Sequence, residues 1–170
     1  MPWAIILVSA TTAGFLDLRD RRIPNWLVIL TGAISFVFHF AMSGPGGLSS
    51  SVLGILIGTA ILFPLFLLRG MGAGDVKFFG ALGAAVTYKY VFVVLFLSVV
   101  VAALLALLRI FYGRAVIATL TNTGRLIAWL GRGHFRPHPL LNLRNDSALS
   151  VPFGVAIAIA SWVFLLMKLR

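Results

Sequence analysis

Residues Ser50–Val86 read SSVLGILIGTAILFPLFLLRGMGAGDVKFFGALGAAV, two apolar runs separated by the glycine-rich turn GMGAGDVK at 70–77. Asp75 in that turn is one of only four acidic residues in 170, the others being Asp17, Asp20 and Asp146, and there is no glutamate. The runs around it approach the roughly 20 apolar residues that cross a bilayer core. Outward from this stretch, segments 2–18, 25–42, 50–68, 74–88, 90–112 and 151–167 have the same character. With 61% hydrophobic and 11% charged residues and a mean hydropathy of +1.06, the chain reads as an all-α polytopic membrane protein. About six transmembrane helices in a single domain, 1–170, are expected.

The 14 lysines and arginines give a net charge of +10, but they lack the clustering with aromatic and polar surface that a nucleic-acid reader needs. They fit membrane topology instead. With the amino terminus outside, Arg19, Arg21, Arg22, Arg69, Lys77, Arg109, Arg114, Arg125, Arg132, Arg136 and Arg144 fall inside. Only Lys89, Lys168 and Arg170 remain outside, which is the asymmetry of the positive-inside rule. The first segment lacks a basic n-region and reads as a spanning helix rather than a cleaved signal. Residues 115–131 place apolar side chains on roughly one helical face, as an amphipathic helix on the cytoplasmic surface would. Residues 132–150, with two prolines, read as an irregular cytoplasmic loop. The absence of cysteine removes disulfides, thiolate metal sites and cysteine nucleophiles.

On this topology Asp17 and Asp75 meet the same, cytoplasmic, membrane face. A carboxylate at the edge of a span is costly, so each is a functional candidate. The plainer readings are a helix-end charge beside Arg21 for Asp17, and an N-cap for Asp75. Two carboxylates close enough to share a proton repel, so that one serves as base and the other as acid. The base takes a proton from water as that water attacks a peptide carbonyl, and the acid protonates the developing oxyanion. The glycines before Asp75 would admit an extended substrate strand without a Cβ in its way. Asp20 lies three residues from Asp17 and spacing alone does not separate them, but Asp20 sits among Arg19, Arg21 and Arg22, whereas Asp17 follows Phe15 and Leu16.

At these residues the chain resembles a known family. Gly72-Ala73-Gly74-Asp75 fits the Gly-x-Gly-Asp signature of intramembrane aspartyl proteases, and Val76-Lys77 resembles the continuation found in type IV prepilin peptidases and archaeal preflagellin peptidases. DLRDRRIPNWL at 17–27 resembles the family's other aspartate block, and VPFGVAIAIA at 151–160 its Pro-Tyr-Gly-x-Ala block with Phe153 for tyrosine. The resemblance implies catalytic roles for Asp17 and Asp75. It implies substrate-binding or supporting roles for Gly72, Gly74, Lys77, Pro24, Asn25, Pro152 and Gly154, with no cofactor and no metal. The implied reaction is cleavage of a short basic leader from prepilin or pseudopilin precursors at the cytoplasmic face of a bacterial inner membrane. Bifunctional members add an amino-terminal region with paired cysteines and a methyltransferase activity. This chain resembles the short form serving Flp or Tad-type pili, without methyl transfer.

The remaining features read more plainly. GILIG at 54–58 is a small-xxx-small helix-packing pattern. His134 and His138 flank Pro137 without the carboxylate a metal site would need, and His39 reads as a packed or interfacial histidine. Lys77 is read either as a topological charge or as a partner for Asp75 or an acidic substrate residue. The turn at 70–77 lacks the Gly-Lys-Ser/Thr of a phosphate loop. A small proton-coupled transporter or channel using the same carboxylates as a relay is the alternative function, and a non-enzymatic docking subunit is a third.

Overall fold

The computed structural model describes residues 3–68, 70–112 and 152–169, which form four helices. These are α1 (Trp3–Asp20), α2 (Asn25–Leu67), α3 (Ala73–Tyr112) and α4 (Phe153–Leu169). The described residues contain helix and no strand, in keeping with the all-α expectation. Arg69, the 115–131 segment, the 132–150 segment, His134 and His138 lie outside the described residues.

The expected six spans are not what these residues present. Two helices, in α2 and α3, are long and apolar enough to cross a membrane by length and composition. The apolar runs pause at 43–49 and at 89, where the sequence predicts loops. Instead each long helix carries one non-helical residue, Gly44 (φ 57°, ψ −144°) in α2 and Thr87 (φ 64°, ψ 166°) in α3. Only glycine enters the Gly44 conformation without steric cost, and Pro45 behind it supplies the fixed φ that suits a first helical position. Thr87 takes a positive φ despite its branched Cβ, a strain of about 1–3 kcal/mol that the surrounding packing must offset.

Both residues reverse the chain. In a straight helix Val28 and Ile55 would stand about 40 Å apart at 1.5 Å per residue, yet Val28, Ile29, Ile55 and Thr59 line one groove. Likewise Asp75 feels the charge of Asp17, and Asp17 shares a cleft with Leu105 and Arg109 from the far arm of α3. The arms of α2 (25–43 and 45–67) and of α3 (73–86 and 88–112) therefore run antiparallel, with both bends at one end of the bundle. The end of α1 that carries Asp17, the turn with Arg21 that follows it and the start of α3 with Asp75 gather at the other.

Glycines set the closeness of this packing. A Cβ on Gly54 would strike the Gly83 carbonyl oxygen and one on Gly83 would strike that of Gly54, so the two backbones touch where α2 crosses α3. Gly58 meets Phe79 and Gly80 one turn along, which accords with the packing role read from GILIG. At the bends the interrupted helix leaves a carbonyl without its usual amide, and His39 Nε2 donates to Ala85 O at 3.1 Å. Buried Ser9, Ser35, Ser98 and Ser161 return their hydroxyls to carbonyls four residues back on their own helices. Outward, large apolar side chains such as Ile29, Val37, Phe96 and Phe111 are mostly exposed. Apolar surface on this scale is at odds with water and suits an apolar surround.

Candidate functional site

The α1 terminus positions Asp17. Helix α1 ends as Arg21 adopts a left-handed conformation (φ 50°) with its N–H bonded to Asp17 O at 3.0 Å. Asp17 is thus in the last regular turn, and its side chain faces the bundle at 6% exposure. Gly14, one turn earlier, is pressed against α4, where a Cβ would come within 2.9 Å of Ala158 Cβ and 3.4 Å of Gly154 O. That closeness brings the first turn of α4 onto the carboxyl. Gly154 N–H donates to Asp17 Oδ2 at 2.8 Å. A Cβ at 154 would lie 2.9 Å from both Asp17 Cβ and Oδ2, so only glycine leaves this carboxyl where it is.

Asp75 is fixed by its own turn. It is the third residue of α3, and its carboxyl accepts the Gly72 backbone N–H just outside that helix. This is the carboxylate half of a capping box, so the sequence reading of Asp75 as the N-cap itself shifts by three positions to Gly72. A Cβ at 72 would stand 3.1 Å from Asp75 Oδ2, tight enough to disturb it. Gly74 lies against the backbone of Ile23, its absent Cβ 3.3 Å from Ile23 O. The turn between α1 and α2 and the turn before α3 are packed together through that contact.

The two carboxyls are close enough for the charge on Asp17 to act on Asp75, and Arg21 acts on Asp17 in turn. Beside Asp17 opens a cleft of about 400 Å³ lined by Leu18, Arg21, Leu105, Arg109, Pro152 and Val155. Among the residues expected here, Gly154 and Pro152 join Asp17, while Gly72 and Gly74 serve Asp75. Pro24 and Asn25 begin α2 next to Ile23. Lys77 is elsewhere: exposed, it lines the groove of Val28, Gly32, Thr59 and Ala81 between α2 and α3. Leu105 is a site residue that the sequence does not single out, and Arg109 is read there only as an inner-face charge; the reversal at Thr87 carries both to Asp17. No group of three or more candidate metal-binding side chains occurs among the described residues.

Asp20 is separated from this arrangement. Its carboxylate sits 3.7 Å from Arg19 Nε, with both side chains more than half exposed, a surface pair worth about 0–1 kcal/mol.

The ends of the apolar helices thus bring two carboxyls together, and comparison with known proteins bears on their role. The type IV leader peptidase family matches residues 4–107, which include both aspartates and the turn between them. The chain belongs to the type IV leader peptidase family. Its relatives include the prepilin leader peptidase/N-methyltransferase of Aeromonas hydrophila, 31% identical over 95% of this chain and 46% of that protein. The protein of the same name from Aeromonas salmonicida strain A449 is 30% identical with the same coverage. The chain spans about half the length of these relatives. No solved structure matches it. Family membership and the apolar helices together identify a membrane protein.

Proposed function

We propose that this type IV leader peptidase relative is a membrane-embedded aspartyl endopeptidase that removes the short basic leader of Flp-type prepilins. The observation that carries the reading is the convergence of Asp17 and Asp75, from separate helices, at one end of the bundle with a backbone N–H on each carboxyl. A water between the two carboxyls would lose its proton to one as it attacks the scissile carbonyl, while the other gives a proton to the oxygen that develops charge. The cleft walled by Pro152 and Val155 beside Asp17 offers room for an extended peptide. The test is co-expression with candidate prepilins bearing basic leaders, read as a shift in substrate size. Wild-type protein that leaves every such substrate intact in membranes would count against the proposal.

In the same reading each arm of α2 and α3 is a separate crossing, giving six with α1 and α4, and the acidic end faces the cytoplasm of a bacterial inner membrane. Cysteines introduced singly for Ser49 and Gly70 check this, since the chain has none of its own. Ser49→Cys should react with an impermeant thiol reagent from outside and Gly70→Cys only after the membrane is opened. Were α2 one straight crossing, position 49 would lie at mid-membrane and resist labelling from both sides.

The assignment of Asp17 over Asp20 is tested separately. Asp20→Asn should keep activity within about twofold of wild type, since an exposed pair of small energy is all that it removes. Loss at Asp20 with retention at Asp17 would move the assignment by one helical turn.

The proton-relay alternative predicts no size shift in any precursor. It draws less support, because the described acidic side chains gather at one end rather than along a path through the bundle.

A further inference from the structure

A larger cavity lies at the opposite end of the bundle from Asp17 and Asp75, and nothing in the proposed cleavage uses it. It encloses about 500 Å³, within the range of about 300–1,000 Å³ usual for ligand pockets. Trp3, Phe38, Met42 and Phe164 make its wall apolar. Trp3 and Tyr90 both pack on the Phe164 ring with centroids 5.6 Å apart, which draws α1, α3 and α4 together around one side. Its rim is cationic. Lys89 lines the opening, and Lys168 reaches the lining residue Tyr90, donating to its hydroxyl at 2.7 Å with Nζ 4.3 Å above the ring.

Among the described residues the acidic side chains, Asp17, Asp20 and Asp75, all sit at the other end, and none of them pairs with Lys89 or Lys168. An apolar hollow with two cations at its mouth and no described carboxylate beside them has the complementarity of an amphiphile with an anionic head. Lysines near a bilayer surface draw acidic headgroups toward them, by about 1 kcal/mol each, and their long stems can lie along apolar surface while the ammonium stays at the polar boundary.

We propose that this cavity binds an anionic glycerophospholipid, one acyl chain against Trp3, Phe38, Met42 and Phe164 and the phosphate between Lys89 and Lys168. The phosphodiester supplies negative charge opposite these two lysines. A zwitterionic lipid of the same chain length brings its own cation to the same lysines and fits less well. Because the site is remote from the carboxyls, its occupancy is measurable without reference to cleavage, and failure of one reading leaves the other standing.

The test is native mass spectrometry of the full chain in detergent with dioleoyl phosphatidylglycerol or dioleoyl phosphatidylcholine added. Phosphatidylglycerol should be retained about ten- to thirtyfold more than phosphatidylcholine, as two lysines near an anionic head imply. Combining Lys89→Gln with Lys168→Gln should reduce it to the phosphatidylcholine level. Ser50→Phe, which projects a ring into the cavity, should lower retention of both lipids while helix content by circular dichroism is unchanged. Equal retention of the two lipids by wild type, or an undiminished phosphatidylglycerol preference in the double lysine variant, would overturn the proposal. Full retention in Ser50→Phe would move the lipid out of this cavity.

Discussion

Asp17→Asn and Asp75→Asn should each reduce cleavage of a prepilin leader by at least about 10³-fold, within the range that general acid–base groups contribute. Asparagine keeps the size of the carboxyl and can still accept the Gly154 or Gly72 N–H through its amide oxygen, so both proteins should insert and fold. What it cannot do is take up and release a proton. In the proposed mechanism the two carboxyls work on one water, and groups that act as a unit lose nearly everything on the first deletion. The double variant should accordingly be no slower than either single one. Initial rates on a purified precursor, normalised to folded membrane protein, provide the check. Additive losses, or a well-folded single variant with full activity, would mean that the carboxyls do not share the reaction.

The second large effect is expected from a residue with no side chain. Gly154→Ala places a methyl group 2.9 Å from Asp17 Oδ2 and Cβ, about half an ångström inside ordinary contact. The carboxyl must turn or α4 must retreat, and either movement breaks the 2.8 Å bond from the Gly154 amide. Misplacement of a reacting group by about 1 Å costs on the order of 10²-fold, and that loss should appear in kcat with KM little changed. Gly14→Ala is the comparison, because it crowds the same seam against Ala158 Cβ without meeting the carboxyl directly. Overpacking there should cost about 1–3 kcal/mol of stability while kcat falls far less than in Gly154→Ala. Equal kcat losses in the two variants would reduce the role of Gly154 to helix packing.

Much of this arrangement is legible in the sequence. A carboxylate in a glycine turn between apolar runs, and a second at the end of the first run, already pointed to one face of a membrane protein, and the structure has both at one end of the bundle. Hydropathy also located the pauses near Gly44 and Thr87. It could not tell that the chain reverses there through single residues inside otherwise continuous helices, because a hydropathy profile records polarity and not φ. Leu105 has no signature in the sequence, and Arg109 stands there only as one of the inner-face charges: the place of both in the cleft beside Asp17 depends on the turn at Thr87. Of the two readings of Lys77, the topological charge agrees better with its place in the fold. Two residues from Asp75 in sequence, it projects about 200° around the helix from it and meets a different groove. The amide of Gly154 had no signature of its own, since a backbone donor is common to every residue but proline.

The contact between Gly54 and Gly83 bears on how such a chain can change over evolutionary time. Most tight contacts drift in pairs: where a Cβ on Gly80 would strike the Thr59 hydroxyl, a smaller residue at 59 can make room for a larger one at 80. No exchange of that kind exists where α2 crosses α3, because the obstructing atoms on both sides are main-chain carbonyl oxygens. Mutation at one position can never be answered at the other. Any lineage that keeps this crossing must keep both glycines, and one that loses either must relocate two helices, including the one that opens on Asp75.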